Sequence, residues 1–415
     1  MLSVVVGAQW GDEGKGKIVD FLSKDLDLVV RYQGGNNAGH TVVSDGKTYK
    51  LHLLPSGVVQ GKSVCLGAGV VIDPKVLVNE IENLQSQGRN VEITIDPRAH
   101  IILPHHIQLD QLKEGKNTSA AIGTTGRGIG PVYEDKASRT GVRFEDFVDK
   151  DRFSKKLASV YDIKKFLIED LYKDKINSTD QVLIDFDKSI KFLAHYIGDV
   201  AIKINNYLDR GKNVMLEGAQ GTFLDINFGS YPYVTSSHPI SGGSCVGAGF
   251  SPKKIDKIIG IAKAYTTRVG NGPFPTELKD ELGENIRKRG AEFGTTTGRP
   301  RRCGWFDLVM LRYSHMLNGF TEIAITKLDV LSDIPKIKIA IAYECDGEII
   351  KDWPIDLNKL EKCKPIYADF DGFNLDDSGK IPKEAQIYLN FIEKEVGVPI
   401  KIVSIGAERN HTLLL

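Results

Sequence analysis

Residues 7–17 read Gly7-Ala8-Gln9-Trp10-Gly11-Asp12-Glu13-Gly14-Lys15-Gly16-Lys17. Closely spaced glycines let a backbone turn its N–H groups toward an anion, and Lys15 adds a positive charge, so this segment has the chemistry of a phosphate cradle. Gln9 stands where a Walker A loop has its first glycine, and Gly16 where it has the Ser or Thr that holds magnesium. The site is therefore P-loop-like without being Walker A. A carboxylate inside an anion cradle is unfavourable unless it works, which marks Asp12 as a metal ligand or general base. A second run, Gln33-Gly34-Gly35-Asn36-Asn37-Ala38-Gly39-His40-Thr41, sets one imidazole in a polar, glycine-rich loop. That setting favours acid–base work for His40 over a packing role.

Three further segments carry chemistry. Residues 295–302, Thr-Thr-Thr-Gly-Arg-Pro-Arg-Arg, place three guanidiniums beside hydroxyls. Arginine binds carboxylate and phosphate bidentately, so an anionic substrate is expected there. Thr326-Lys327-Leu328-Asp329 resembles the guanine-reading NKxD element with threonine in first place. Asp329 can accept the N1–H and 2-amino group of guanine while the Lys327 stem covers the ring, and adenine lacks that donor pair. Residues 126–130 contain a GxGxG string, but no strand pattern precedes it and no helical pattern directly follows. A dinucleotide fingerprint is excluded on that ground, and a hydroxyl- and amide-rich phosphate clamp fits better.

These loops need a frame. Short β-branched runs at residues 3–6, 28–31, 64–66, 214–217, 258–264, 322–326 and 400–405 alternate with helical periodicity at 18–22, 74–87, 305–317 and 383–396, and 152–208 is helix-rich. The expected fold is α/β: a large, mainly parallel central sheet with helices on both faces and inserted helical and loop subdomains. One domain over residues 1–415 is expected, with a mostly helical and loop insertion at about 105–210. The first two strands should run parallel, since a βαβ crossover returns the chain in the same direction. Their outgoing loops then share the carboxyl edge, where Asp12 and His40 can meet over one substrate.

Composition limits the partners. The 415 residues carry 54 basic and 54 acidic side chains, so the overall charge favours neither nucleic acid nor an acidic membrane surface. No apolar run approaches the roughly 18 residues of a membrane span, and no basic leader precedes Leu2-Ser3-Val4. Cys65, Cys245, Cys303, Cys345 and Cys363 are scattered and odd in number, which predicts free thiols in a reducing cytoplasm rather than a disulfide framework or zinc site.

GAQWGDEGKGK followed by RYQGGNNAGHT resembles the paired signature blocks of the adenylosuccinate synthetase family. Further blocks fall in that family's order across nearly the whole chain: Gly123-Thr124-Thr125-Gly126-Arg127-Gly128-Ile129-Gly130-Pro131, Glu217-Gly218-Ala219-Gln220-Gly221, Tyr233-Val234-Thr235-Ser236-Ser237, then 295–302 and 326–329. The resemblance implies a ligase of purine nucleotide biosynthesis that joins L-aspartate to IMP with GTP and Mg2+, through a 6-phosphoryl intermediate. It implies catalytic roles for Asp12, Lys15, His40 and Gln220. Nucleotide contacts are implied for Gly11, Asp12, Glu13, Gly14, Lys15, Gly16, Lys17, Gly39, His40, Thr41, Arg301, Lys327, Leu328, Asp329, Ser404, Ile405 and Gly406. Substrate contacts are implied for Asn37, Ala38, Thr125, Arg139, Gln220, Thr235, Thr295, Thr296, Thr297, Gly298, Arg299 and Pro300, and metal ligation for Asp12 and the Gly39 carbonyl. Arg139 is implied to enter a neighbouring subunit's site, hence a homodimer. Two rival classes share parts of the pattern. A GTP-switch module needs the missing Walker A hydroxyl, and a different phosphate-loop kinase or ligase leaves the pairing of 33–41 with 295–302 unexplained.

Overall fold

The computed structural model describes residues 1–37, 39–44, 46–116, 122–294, 298–376 and 379–415. Alternate residues of the β-branched runs point to opposite faces, and both faces are covered. Val4, Val6, Leu28, Val30, Val214 and Leu216 enter one apolar cluster, while Val5, Val29, Val64 and Met215 enter another. The strands are β1 (Leu2–Gly7), β2 (Leu28–Arg31), β3 (Ser63–Leu66), β4 (Ile93–Ile95), β5 (Val214–Glu217), β6 (Lys257–Lys263), β7 (Glu322–Thr326), β8 (Ile400–Ser404) and β9 (Thr412–Leu414). They form a nine-stranded sheet in the order β9-β8-β7-β6-β1-β5-β2-β3-β4, and only the β8–β9 pair is antiparallel. The α/β fold with a mainly parallel central sheet is therefore the one present.

β1 and β2 run parallel as expected, but they are not neighbours. β5 lies between them, with Val214 opposite both Leu2 and Leu28. This interposition brings the loop after Glu217 between the two signature loops. Strands β8, β7, β6, β1, β5 and β2 all release their chains on one edge.

Helix α1 (Lys15–Leu22) follows β1 directly, and α2 (Pro74–Ser86) is started by Asp73, whose carboxylate accepts from Lys75 N and Val76 N ahead of Pro74. α3 (Pro104–Lys116) and α4 (Ile129–Ser138) begin a run of helices before β5, followed by Lys150–Lys165, Thr179–Leu193 and Val200–Asp209. Helix α4 corrects the expectation that no helix follows residues 126–130: it starts inside the glycine string, where Gly128 has φ +77° and Pro131 sits in the first turn. Residues 305–317 likewise differ at their start, since Phe306–Asp307 form a short strand and the helix begins at Leu308. His106 donates from Nε2 to Asp135 at 2.9 Å and accepts at Nδ1 from Leu103 N, while the Lys164 ammonium takes the other Asp135 oxygen at 2.5 Å. This pins α3, α4 and the 150–165 helix together, with an ammonium where a metal ion would compete.

A second sheet pairs Lys336–Cys345 with Glu348–Ile350 and Lys364–Asp371. Its apolar cluster includes Trp353, Phe223 and Trp10, so the first signature loop is anchored in aromatic packing. Cys345 and Cys363 are joined by a disulfide, which corrects the expectation of free thiols throughout; the ends of the connecting segment return to adjacent backbone, 4.6 Å apart at Cα. Among the described residues, no helix is long and apolar enough to cross a membrane.

Candidate active site

The loop after β1 turns on itself through Gly11 (φ +87°), Asp12 (φ +58°) and Gly14 (φ +87°). Glu13 folds back into this loop: it has no exposure, accepts from Gln9 N at 3.0 Å and Gly11 N at 2.8 Å, and pairs with Lys15 Nζ at 2.6 Å. The internal carboxylate thus holds both the loop amides and the lysine. Lys17 reaches the β8 exit instead, donating to Ser404 Oγ and the Gly406 carbonyl, each at 2.6 Å. Burial lowers its pKa to about 8, against the opposing charge of Asp329. Thr326 Oγ1 donates to the Glu13 carbonyl at 2.5 Å, so β7 is tied to the same loop.

The second signature loop converges on the first. A Cβ placed on Gly16 would lie 3.0 Å from His40 Cβ, so glycine is what allows α1 to approach the histidine. His40 is 7% exposed and its Nδ1 lies 2.6 Å from Glu217 Oε1. Glu217 ends β5, opposite Arg31 at the end of β2, and also accepts from Ser56 N and Ser56 Oγ, both at 2.8 Å. A carboxylate only accepts, so His40 carries its proton on Nδ1. Burial pushes the ring toward its neutral form while Glu217 opposes that shift. The Glu217 carboxyl, which burial alone would raise, is brought below the usual range by His40 and Arg31.

The loop after β5 bridges both. Gln220, at φ +56°, donates from Nε2 to Asn37 Oδ1 at 3.0 Å, and its Oε1 accepts from Gln33 Nε2 at 3.0 Å. Gln33 also holds Ala219 N at 2.9 Å. The 123–130 clamp approaches from α4: Tyr133 OH accepts from Gly34 N at 3.0 Å, and a Cβ on Gly35 would strike Ile129. Thr125 and Thr235 are half-buried, and Gln33 Nε2 lies 3.4 Å from Ser237 Oγ. Arg139 ends α4 with φ +65° and is exposed.

On the nucleotide side, Arg301 donates from Nε to Asp12 Oδ2 at 2.7 Å and from Nη1 to Glu292 Oε2 at 2.7 Å. Arg302 is taken by Glu277 in a two-bond fork, at 2.6 and 2.7 Å. Arg301 and Arg302 of that run are thus engaged by protein carboxylates. Lys327, at φ +57°, donates to Glu292 Oε1 at 2.8 Å and to the Gly290 carbonyl at 2.6 Å. Asp329 Oδ1 is buried with no hydrogen-bond partner among the described residues, and burial raises its pKa. An orphaned carboxylate oxygen beside Lys327 fits a purine that presents N–H donors. Gly298, Arg299 and Pro300 form the exposed side of the loop closed by Glu292 and Arg301. Ala38, Thr295, Thr296 and Thr297 lie outside the described residues. Gly39 and Thr41 flank His40, Leu328 is buried behind Asp329, and Ile405 N donates to the His411 carbonyl at 2.9 Å.

Two groups in this arrangement went unassigned in the sequence reading. Glu217 had one local signal, a charged residue closing an apolar strand just before a glycine block. Glu292 had none, because Lys263, Tyr265 and Lys327, which share its other oxygen, lie on or just after strands well separated from it in the chain.

Glycine-rich loops, two buried carboxylates and several cationic side chains gather along one edge of a parallel sheet. That layout defines a nucleotide-dependent group-transfer enzyme. The sequence profile of the adenylosuccinate synthetase family matches residues 4–413. The chain is 51% identical to the adenylosuccinate synthetase of Carboxydothermus hydrogenoformans, over 99% of this chain and 98% of that protein. It is 48% identical to that of Caldicellulosiruptor saccharolyticus, over 100% and 99%. Among solved structures, a fully ligated adenylosuccinate synthetase from Plasmodium falciparum superposes with a TM-score of 0.94 at 38% identity, covering 100% of this chain and 99% of that one. The chain belongs to the adenylosuccinate synthetase family, whose enzymes couple GTP to the ligation of L-aspartate and IMP.

Proposed function

We propose that the chain joins L-aspartate to IMP with GTP, forming adenylosuccinate, GDP and phosphate, and that the carboxyl edge of its sheet performs both chemical steps. The observation that carries this reading is the meeting of three loops from adjacent strands β1, β5 and β2, tied by the Gln220–Asn37 bond and by His40 against Gly16.

In the first step Asp12 takes the N1 proton of IMP, and O6 attacks the γ-phosphoryl of GTP to give 6-phosphoryl-IMP. Asp12 Oδ2 is engaged by Arg301, and Oδ1 serves the substrate. His40 donates from Nε2 to the departing GDP oxygens, and Glu217 behind Nδ1 favours the imidazolium this requires. Lys15 and the loop amides stabilise charge in transit, with Glu13 fixing their placement. In the second step the aspartate amine attacks C6 and expels phosphate, its carboxylates held by the loop bearing Gly298, Arg299 and Pro300. Thr125, Gln220, Thr235 and Asn37 hold IMP. Lys327, Asp329 and the Ser404–Gly406 turn hold guanine.

Asp12 is 36% exposed at the mouth of the loop, and with the Gly39 carbonyl it offers the hard oxygen donors that Mg2+ prefers. When bound, Mg2+ neutralises charge between the phosphates of GTP. The exposed Arg139 at the end of α4 supports a homodimer in which it enters the partner's IMP site. The chain acts as one α/β domain in the cytoplasm, with the helical insertion at about 105–210 serving the IMP side. Purified protein mixed with IMP, GTP, L-aspartate and Mg2+ should change its ultraviolet absorbance, and omission of any one component should abolish the change. Turnover without IMP or without aspartate would refute the assignment.

A further inference from the structure

Glu292 is fully buried at the foot of the loop that carries Gly298 and Arg299. The ends of that loop are joined twice: Arg301 N donates to the Glu292 carbonyl at 2.9 Å, and Arg301 Nη1 to Glu292 Oε2 at 2.7 Å. The other carboxylate oxygen, Oε1, accepts from Lys327 Nζ at 2.8 Å, Lys263 Nζ at 2.9 Å and Tyr265 OH at 2.5 Å. Three elements remote in sequence therefore share one acid. Through Arg301 the chain of contacts continues to Asp12 at 2.7 Å.

Charge balance shows that this is more than core packing. Lys263 has no exposure, and its ammonium needs a buried counter-charge, which Glu292 supplies. That pair is already neutral. Lys327 and Arg301 come from functional loops and bring two further positive charges to the same carboxylate; Asp12 answers that of Arg301, and the one left over is a surplus that the core pair does not require. Burial works to raise the Glu292 carboxyl, but Lys263, Lys327 and Arg301 hold it well below the usual range, so it stays ionised. Lys327 moreover sits at φ +57°, a backbone region that a lysine adopts only when its surroundings fix it.

We propose that Glu292 is a positioning residue for the ligation, holding Lys327 over the guanine site and Arg301 against Asp12 from a single fixed point. Guanine recognition and N1 deprotonation are then set by the same carboxylate, and the 292–301 loop is closed by it. The inference rests on the roles given above to Lys327, Arg301 and Asp12.

Glu292→Gln alone strands the buried Lys263 charge, so the decisive variant is the charge-balanced double Glu292→Gln/Lys263→Met. Lys263 contacts Thr267 and Glu292 beneath the site, and replacing it leaves Lys327 and Arg301 in place but without their shared carboxylate. Thermal melting and steady-state kinetics are measured for wild type, Lys263→Met and the double variant. The double variant is expected to fold, with the KM for GTP raised and kcat lowered by about 10- to 100-fold each, as loss of charged hydrogen bonds predicts. The KM for IMP should change far less. Wild-type kcat and KM for GTP in a folded double variant overturn the proposal, and so does a double variant that cannot fold although its charge is balanced, because the carboxylate then serves the core. Wild-type protein that forms no adenylosuccinate fails the functional reading first, which the wild-type arm reveals separately.

Discussion

Replacing Glu217 by Gln tests the imidazole half of the chemistry with little change of shape. The carboxylate lies 2.6 Å from His40 Nδ1 and also accepts from Ser56 N and Ser56 Oγ at 2.8 Å. An amide has one acceptor oxygen where the carboxylate has two, so Ser56 and His40 compete for it. The larger effect is electrical. In the neutral ring of the free site Nδ1 holds the proton and Nε2 is bare, so donation to a leaving phosphate oxygen needs the imidazolium. Hydrogen bonds to charged groups contribute about 1.5–3 kcal/mol. Their loss removes that much support from the imidazolium and lowers the imidazole pKa further. His40 is already pushed down by burial, with Glu217 as the main opposing influence. Removing the opposition leaves about 10- to 100-fold less imidazolium near neutral pH, and kcat/KM should fall by the same factor. Because the lost form is protonated, the deficit should shrink as pH is lowered into the range where the ring protonates even without Glu217, and should level off at its full value above that range. The assay is the absorbance change on adenylosuccinate formation, run across pH for wild type and Glu217→Gln, with circular dichroism to verify the fold. A folded variant within about two-fold of wild type at every pH would refute the donor role of His40 through Glu217.

Three other outcomes follow from the same geometry. Asp329→Asn should lower kcat/KM for GTP by ~10²-fold or more, since the new amide meets guanine donors with a donor; a triphosphate with a 2-oxo purine should lose less, and unchanged GTP use would remove Asp329 from the base pocket. Asp307, the N-cap of the 308–318 helix, has its pKa raised to about 6 by burial, with Tyr343 OH donating to it at 2.5 Å. An acid raised on folding binds more protons folded than unfolded, so ionised Asp307 subtracts stability above about pH 6 and nothing below about pH 4. Asp307→Asn should therefore raise the melting temperature at pH 8, by at most about 3 kcal/mol of stability, and give no gain near pH 4; equal shifts at both pH values would contradict this. Thiol titration of unfolded, non-reduced protein should find only Cys65, Cys245 and Cys303, and all five cysteines after reduction; five before reduction would remove the 345–363 bond.

What could be read from the sequence was what local spacing controls. Strand cores such as Leu28–Arg31 and Val214–Glu217 were legible because buried parallel strands are continuous apolar runs, and the loops after them because glycines at fixed offsets impose turns. Strand order was not: β5 enters between β1 and β2 from far along the chain, and only that placement brings Gln220 to Asn37. Helix α4 was missed because Gly128, Gly130 and Pro131 conceal its periodicity, although the first turn tolerates proline. The disulfide was missed because an odd, scattered cysteine set gives no local pairing signal.

The two carboxylates that organise the site show why motif reading stops where it does. Asp12 and His40 sit in glycine-rich loops, and the composition around them advertises that a ligand comes close. Glu217 and Glu292 sit behind those loops, buried, and each acts on a group that the motifs name: Glu217 on His40, Glu292 on Arg301 and Lys327. Glycine-rich loops supply reach but little rigidity, so the direction of a reactive side chain has to be fixed from the sheet or from the packed turn beneath it. A buried acid does this with one or two charged hydrogen bonds whose strength depends on exclusion of water, which is a property of the fold and not of the neighbouring residues. The exposed half of the chemistry is thus written locally, while the half that aims it exists only once distant strands have assembled.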